Sequence, residues 1–476
     1  MSNTAKSLAG KRIRSLLDDN SFVEIGGDIT ARSTDFGMSA DAPSDGVITG
    51  YGVIDGSLVY VYSQDASVLG GTVGEMHARK ITSLYDMAMK MGAPVIGLID
   101  CAGLRLQEAT DALDAFGRIY RQMSLASGVI PQITAVFGTC GGGMAVASQL
   151  SDFTFMEAKS AKLFVSAPNA LAGNTAEKND TAGAAFQSEE AGTVDFAGTE
   201  KEIFSKIRQL VSFLPENNED NSYAECADDL NRVCPDLAQV AGDAAAVLAR
   251  IADDNAFIET KAGYAKDMVT GFLRLNGQTV GAVANRTKIY DAKGQEKESF
   301  DAVLSADGCE KAADFINFCD AFEIPVLSIT NAEGFKADVE NEKRIARAAA
   351  KLTGAFAGAT VPKVNLITGK AFGNAYNVMN SKAIGADFTY AWKDARVGMM
   401  DAKLAAGIMY ADQQGSEILK KAAEYDKLQD NVLTAARRGF VDTIIDAADT
   451  RKYLIGAFEM LFSKNEMVPA KKHGAL

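Results

Sequence analysis

Apolar residues recur at helical spacing between Glu75 and Met91, where Met76, Ile81, Leu84, Met87 and Ala88 fall near one face. Gly92-Ala93-Pro94 ends that pattern and opens a run at 95–99 that is apolar at nearly every position, as expected of a strand covered on both faces. A second helical pattern occupies 111–127. Gly128 stops it, Pro131 opens another apolar strand at 133–137, and Gly141-Gly142-Gly143 leads into a further helix. Upstream, 57–62 reads as a strand that turns at Gly70-Gly71. The second half runs in the same order: helix 310–322, strand 326–329, helix 341–357, strand 363–368, turn, helix. Strands that alternate with helices predict an α/β protein with a mixed or parallel sheet covered by helices. The small, polar, Gly-rich stretch 172–199 predicts a long loop, and the acidic, Asn-rich stretch 215–243 predicts a linker.

The two halves also share landmarks. Asp18-Asp19-Asn20 with Phe22 and Glu24 returns as Asp253-Asp254-Asn255 with Phe257 and Glu259. Thr49-Gly50 with Gly56 returns as Thr270-Gly271 with Gly277. Pro94, Gly103, Pro131 and Gly138 return as Pro325, Gly334, Pro362 and Gly369, all four at one and the same offset. Asp152-Phe153-Thr154 returns as Asp387-Phe388-Thr389, at the offset of the first landmark. The order is kept and the spacing is nearly constant, close to half the chain. A solenoid would repeat every few tens of residues; this period is the size of a domain. It predicts two copies of one fold, at 1–225 and 240–476, with paired, related sites.

A chain of 476 residues is long enough for two cores, and 47% hydrophobic with 23% charged residues describes a globular protein. No apolar run approaches the ~18 residues of a membrane span. The first residues lack the apolar core of a secretory signal. Six cysteines form no CxxC pair and read as reduced thiols in cytoplasm. A net charge of −14 argues against a nucleic-acid partner.

Histidine is nearly absent: His77 and His473 are the only two. A Ser-His-Asp hydrolase needs a histidine beside its serine, and catalytic zinc sites draw on imidazole, so neither chemistry is expected and no metal is assigned. His77 reads as a structural helix residue. The best candidates are instead two strand-turn-helix junctions, Gly138–Met144 and Gly369–Tyr376. The first amides of a helix lack internal partners, and small residues let a ligand oxygen come close, which is oxyanion-hole geometry. A tight turn that uses glycine only for packing is the competing reading. Two strand ends precede these junctions, Asp100–Arg105 and Thr330–Phe335, and strand ends of this kind line ligand crevices. Ala88-Met89-Lys90-Met91 spells the tetrapeptide around the biotinylated lysine of carrier domains. Here it ends an amphipathic helix rather than capping an exposed hairpin, so Lys90 is not expected to carry biotin.

From Arg12 to about Ile455 the chain resembles the carboxyltransferase subunits of biotin-dependent acyl-CoA carboxylases and decarboxylases. The matching segments include Tyr60-Val61-Tyr62-Ser63-Gln64-Asp65, Ala126-Ser127-Gly128-Val129-Ile130-Pro131-Gln132, Ser151-Asp152-Phe153-Thr154-Phe155-Met156, Phe318-Cys319-Asp320-Ala321-Phe322 and Arg438-Gly439-Phe440-Val441-Asp442. The resemblance implies two tandem crotonase-like domains related by internal duplication. It implies that the first binds acyl-CoA as substrate and the second binds biotin carried on a separate protein. It further implies that the active site forms where the first domain of one subunit meets the second domain of its partner, usually in a hexamer.

Carried onto this sequence, the thioester-side oxyanion hole falls on Gly142 and Gly143, and the biotin-side hole on Asn374 and Ala375. Ala102, Gly103, Arg105, Gly373 and Asn377 fall at substrate-binding positions. The chain departs from the family where Cys101-Ala102-Gly103-Leu104 replaces Ser-Gly-Gly-Ala, where Asn374 replaces a glycine, and where Gln187 stands for a histidine. Carrier and biotin carboxylase domains are not visible, so the implied partners are a biotin carboxyl carrier protein, a biotin carboxylase or a membrane decarboxylase subunit, and further copies of the chain. The expected location is the cytoplasm, at a membrane only through a partner. Three readings stay open: a carboxylase subunit, the decarboxylase subunit of a sodium-pumping membrane complex, and a catalytically divergent scaffold.

Overall fold

The fold is that of a computed structural model, which describes all residues except 1–5, 33, 35, 38–41, 222, 292, 414, 468 and 470–476; His473 lies outside the described residues. The chain divides into two compact units, Met1–Asp220 and Asn221–Leu476.

The first unit holds an eight-stranded sheet of β1 (Val23–Ile25), β2 (Val47–Ile54), β3 (Ser57–Gln64), β4 (Val95–Cys101), β5 (Gln132–Gly141), β6 (Phe153–Glu157), β7 (Lys162–Phe164) and β8 (Phe196–Gly198). The spatial order is β1-β2-β3-β4-β5-β6-β8, with β7 paired to the far end of β5. β1, β2 and β3 are antiparallel; from β3 onward every pair is parallel.

The second unit contains β9 (Phe257–Thr260), β10 (Met268–Leu275), β11 (Gln278–Asn285), β12 (Lys288–Tyr290), β13 (Glu296–Ser299), β14 (Val303–Leu304), β15 (Val326–Ala332), β16 (Gly334–Phe335), β17 (Lys363–Phe372), β18 (Phe388–Trp392), β19 (Arg396–Gly398) and β20 (Thr443–Ile445). Its main sheet runs β9-β10-β11-β15-β17-β18-β20, with β19 on the far end of β17. The order, the pair of antiparallel joints and the side branch all repeat the first unit. Even the register irregularity repeats: Cys101 pairs Cys140 past one shift, and Ala332 pairs Ala371 past its equivalent. Both partners of that pair return at the offset that relates Pro94 to Pro325. The halves are duplicates.

Local chemistry explains the elements. The helix Glu75–Met91 ends on Gly92 at φ +64, a left-handed cap that glycine adopts without strain. It buries Ala78, Ile81, Leu84, Tyr85 and Ala88 against the sheet. The helix Ala109–Ala126 buries Phe116, Ile119 and Met123 in the same core.

Three expectations need correction. β5 and β17 run past 137 and 368 to Gly141 and Phe372, because β7 and β19 continue their ladders. The stretch 172–199 is not one loop. It holds the short helix Asn174–Glu177, a π-helical turn Phe186–Glu190 and β8, and Gln187 anchors it by donating to Leu163 O (3.2 Å) and Thr181 O (2.7 Å). The stretch 215–243 is not a free linker either. Beyond the unit boundary Cys234 and Leu237 are buried in the second core, and Arg232 donates to Arg250 O (2.9 Å) and Ala252 O (2.7 Å).

Candidate active site

In each unit the ends of three parallel strands are tied by the same pair of side-chain bonds. Gln64 Oε1 accepts from Asp100 N (3.3 Å), and Asp100 Oδ1 accepts from Thr139 N (3.3 Å). In the second unit Asn285 Oδ1 accepts from Asn331 N (2.7 Å), and Asn331 Oδ1 accepts from Lys370 N (3.0 Å). Each tie fixes the strand just before its glycine turn. Tertiary staples repeat too: Asp152 caps Gln132 N at 2.7 Å, and Asp387 caps Lys363 N at 2.8 Å.

The first turn brings Gly103 beside Gly141: a Cβ on Gly103 would lie 3.4 Å from Gly141 O. Gly142 sits at φ 59, ψ −122, with open space above it. Gly143 begins the helix Gly143–Ser148, whose first amides have no intrahelical acceptor. The Gly142 N–H, however, donates to Phe164 O at 2.9 Å, because β7 pairs beside it. Of the expected donor pair, Gly143 is the one at the head of the helix. Ala102 is exposed, but its amide donates to Gly70 O (3.1 Å), and Gly103 N donates to the Cys101 thiol (3.3 Å).

Arg105 turns inward. Its side chain is buried and its guanidinium grips Asp45 Oδ1 (2.5 Å), Glu108 Oε1 (2.8 Å) and Thr72 O (2.6 Å). In this structure it holds the loop. His77 is equally internal. Gln64 Nε2 lies 3.2 Å from its Nε2, and its Nδ1 lies 2.9 Å from Asp45 O, so the ring is neutral with the proton on Nδ1. Burial pushes its pKa down to about 3. Among the described residues no imidazole serves the turn.

The second turn opens onto a cavity of about 600 Å³. Gly373, Asn374 and Asn377 line it; Ala375 is buried and is not among the lining residues. Gly373 has φ +57 and stands where Gly142 stands in the first unit, which pairs Gly143 with Asn374, one residue ahead of the expected pair. Tyr376, Lys382, Met399, Met400, Arg438 and Phe440 complete the wall. Lys382 is paired with Asp442, whose Oδ2 also caps Thr389 N (2.8 Å). Behind Gly398, Asp430 is fully enclosed near Arg396 (3.4 Å), and burial raises its carboxyl to about 6. The methionines and Asp430 gave no sequence signal. Arg438 and Phe440 did, as members of a family-like segment. Among the described residues no cluster of His, Cys, Asp and Glu could hold a metal ion.

Two duplicated α/β units, each with a glycine turn at equivalent strand ends, are the architecture of tandem crotonase-like carboxyltransferases, and the chain belongs to that family: the carboxyl transferase domain matches residues 2–476. It is a carboxyltransferase of the biotin-dependent acyl-CoA carboxylase and decarboxylase family. It is 39% identical to the methylmalonyl-CoA decarboxylase subunit alpha of Propionigenium modestum, over 99% of this chain and 93% of that one. It is also 39% identical to the propionyl-CoA carboxylase beta chain of Saccharopolyspora erythraea, over 98% and 90%. A solved structure of the transcarboxylase 12S hexamer, with hydrolysed methylmalonyl-coenzyme A bound, superposes with a TM-score of 0.91 at 34% identity, covering 98% of this chain and 92% of that one.

Proposed function

We propose that this chain moves a carboxyl group between biotin on a separate carrier protein and a short-chain acyl-CoA, the first unit (1–220) taking the thioester and the second (221–476) the biotin. The observation that carries the reading is the repeated turn in unequal surroundings. Glycines with open space above Gly142 mark one copy, while a walled cavity at Gly373 marks the other.

The reaction develops negative charge on the thioester oxygen as the α-carbon becomes nucleophilic. The Gly143 amide at a helix start is the donor that meets it, with Gly142 holding the turn open and Ala102 and Gly103 forming the opposite lip. In the second unit the amides of Asn374 and Ala375 face the biotin ureido oxygen, with Gly373 shaping the turn and Asn377 on the wall. When bound, carboxybiotin supplies the carboxyl group. A cavity lined by Val397, Met399, Met400 and Phe440 together with Asn374, Asn377 and Arg438 suits a neutral bicyclic urea with an apolar arm. Arg105 acts as a positioning residue for the loop of Ala102 and Gly103.

The partners are a biotin carboxyl carrier protein, a biotin carboxylase or membrane decarboxylase subunit, and further copies of the chain. Exposed Leu404, Ile408, Met409 and Leu419 on the helices Ala402–Met409 and Ser416–Tyr425 suit a homo-oligomer contact. Among the described residues no helix is long and apolar enough to cross a membrane. A second reading, the decarboxylase subunit of a sodium-pumping membrane complex, is favoured by the likeness to a methylmalonyl-CoA decarboxylase alpha subunit.

The test is carboxyl transfer between carboxylated carrier protein and a panel of acyl-CoAs. Transfer to propionyl- or acetyl-CoA is expected. Transfer to none of them, by folded protein, would favour a scaffold.

A further inference from the structure

The second unit buries a row of polar side chains that differs from its duplicate at two of three positions. Ser328, Asn365 and Thr389 are register partners on β15, β17 and β18, and all three are fully buried. Their counterparts, Gly97, Thr134 and Thr154, hold a glycine and two threonines. Asn365 Oδ1 accepts from Ser328 Oγ (3.2 Å) and from Thr330 Oγ1 (2.9 Å), both on β15. One bond and one longer contact then reach the residues just past the helix Gly373–Val378 from the same strand. Asn380, two residues past its end, donates from Nδ2 to Ser328 Oγ (3.0 Å), and Thr330 Oγ1 lies 3.3 Å from Met379 O. Asn380 holds φ +59, a conformation asparagine tolerates better than most residues.

An apolar row would fill this space at less desolvation cost. Three atoms of the cluster, Asn365 Nδ2, Asn380 Oδ1 and Thr389 Oγ1, are buried without a protein partner. What the polar row provides is direction: it fixes where a helix of six residues ends. Such a helix spans only about 9 Å, so a shift at Asn380 reaches Gly373 at the other end.

We infer that the Asn380–Ser328–Asn365–Thr330 cluster is a positioning device for the second unit's turn, so that Asn380 and Ser328 govern the biotin half of the reaction through the helix Gly373–Val378 without touching a ligand. This inference rests on the reading of the second unit as the biotin side.

The test is Asn380→Gly, which removes the amide and relaxes the positive φ, compared with Thr389→Val, which removes a hydroxyl that ties nothing to the helix. Two readouts are taken: amide hydrogen exchange in 369–380 against the duplicate segment 138–149, and transfer kinetics. Asn380→Gly should exchange faster in 369–380 alone and lose about tenfold in kcat for biotin-dependent transfer, with KM for acyl-CoA unchanged. Thr389→Val should match wild type in both. If Asn380→Gly fails to fold, Ser328→Ala removes the same bond from the strand side. Unchanged exchange in 369–380, or faster exchange with unchanged kcat, overturns the inference. If wild-type protein transfers nothing, the biotin reading falls, while faster exchange confined to 369–380 still establishes the tether.

Discussion

Gly142 and Gly143 are glycines for different reasons. At φ 59, ψ −122 the backbone of Gly142 excludes any side chain, although the space above it is open. At Gly143 a Cβ would meet the Tyr120 hydroxyl at 2.8 Å and the Phe116 ring at 3.1 Å. Arg105 makes its own case. Arg105→Ala leaves two buried carboxylates without their cation, and we expect a loss of about 3–5 kcal/mol in urea unfolding, which Arg105→Lys will not restore because it lacks the planar fork. Asp430 gives a pH test. Its carboxyl is raised to about 6 by burial, against about 4 in an unfolded chain. Between those values the folded chain binds more protons, so its stability falls as pH rises through the window. Asp430→Asn removes that dependence. Its Tm should exceed wild type by about 3 °C at pH 7.5, with the gap closing at pH 4; a lower Tm at pH 7.5 contradicts the assignment.

At the scale of elements, periodicity read the helix Glu75–Met91 to the residue because its stripe is long and Gly92 caps it. It stopped β5 and β17 short, because glycine reads as a turn while the ladders with β7 and β19 are non-local. Composition marked 215–243 as a linker, because the arginine bonds to carbonyls that anchor it carry no periodic signal. A ligand role for Arg105 is what the family resemblance implies; the buried Asp45 that pairs with it lies far earlier in the chain. The helix also decides Lys90. The lysine is exposed in the last turn of a regular helix, not on a hairpin, so mass spectrometry of protein from its native host should find no biotin there. An adduct would contradict the helical context.

For the whole molecule, the duplication was legible because spacing between turn residues survives divergence, while the contents of the sites do not. Gly142 and Gly373 kept their backbone; the surroundings became open glycine in one unit and a walled cavity in the other. The exposed apolar helices of the second unit predict an oligomer by light scattering at micromolar concentration, and an active monomer would contradict it. The central claim is that the two turns serve two different ligands. It is tested most directly by comparing folded Gly143→Pro and Ala375→Pro, each of which removes one amide donor. Loss of one such donor costs about 3 kcal/mol, or roughly 100-fold in rate. Ala375→Pro should lose carboxyl transfer from the biotin carrier by that factor and bind acyl-CoA by calorimetry as wild type does, whereas Gly143→Pro should lose transfer through its failure at the thioester. Wild-type transfer by folded Ala375→Pro, or equal loss of acyl-CoA binding in both variants, would contradict the division of labour between the units.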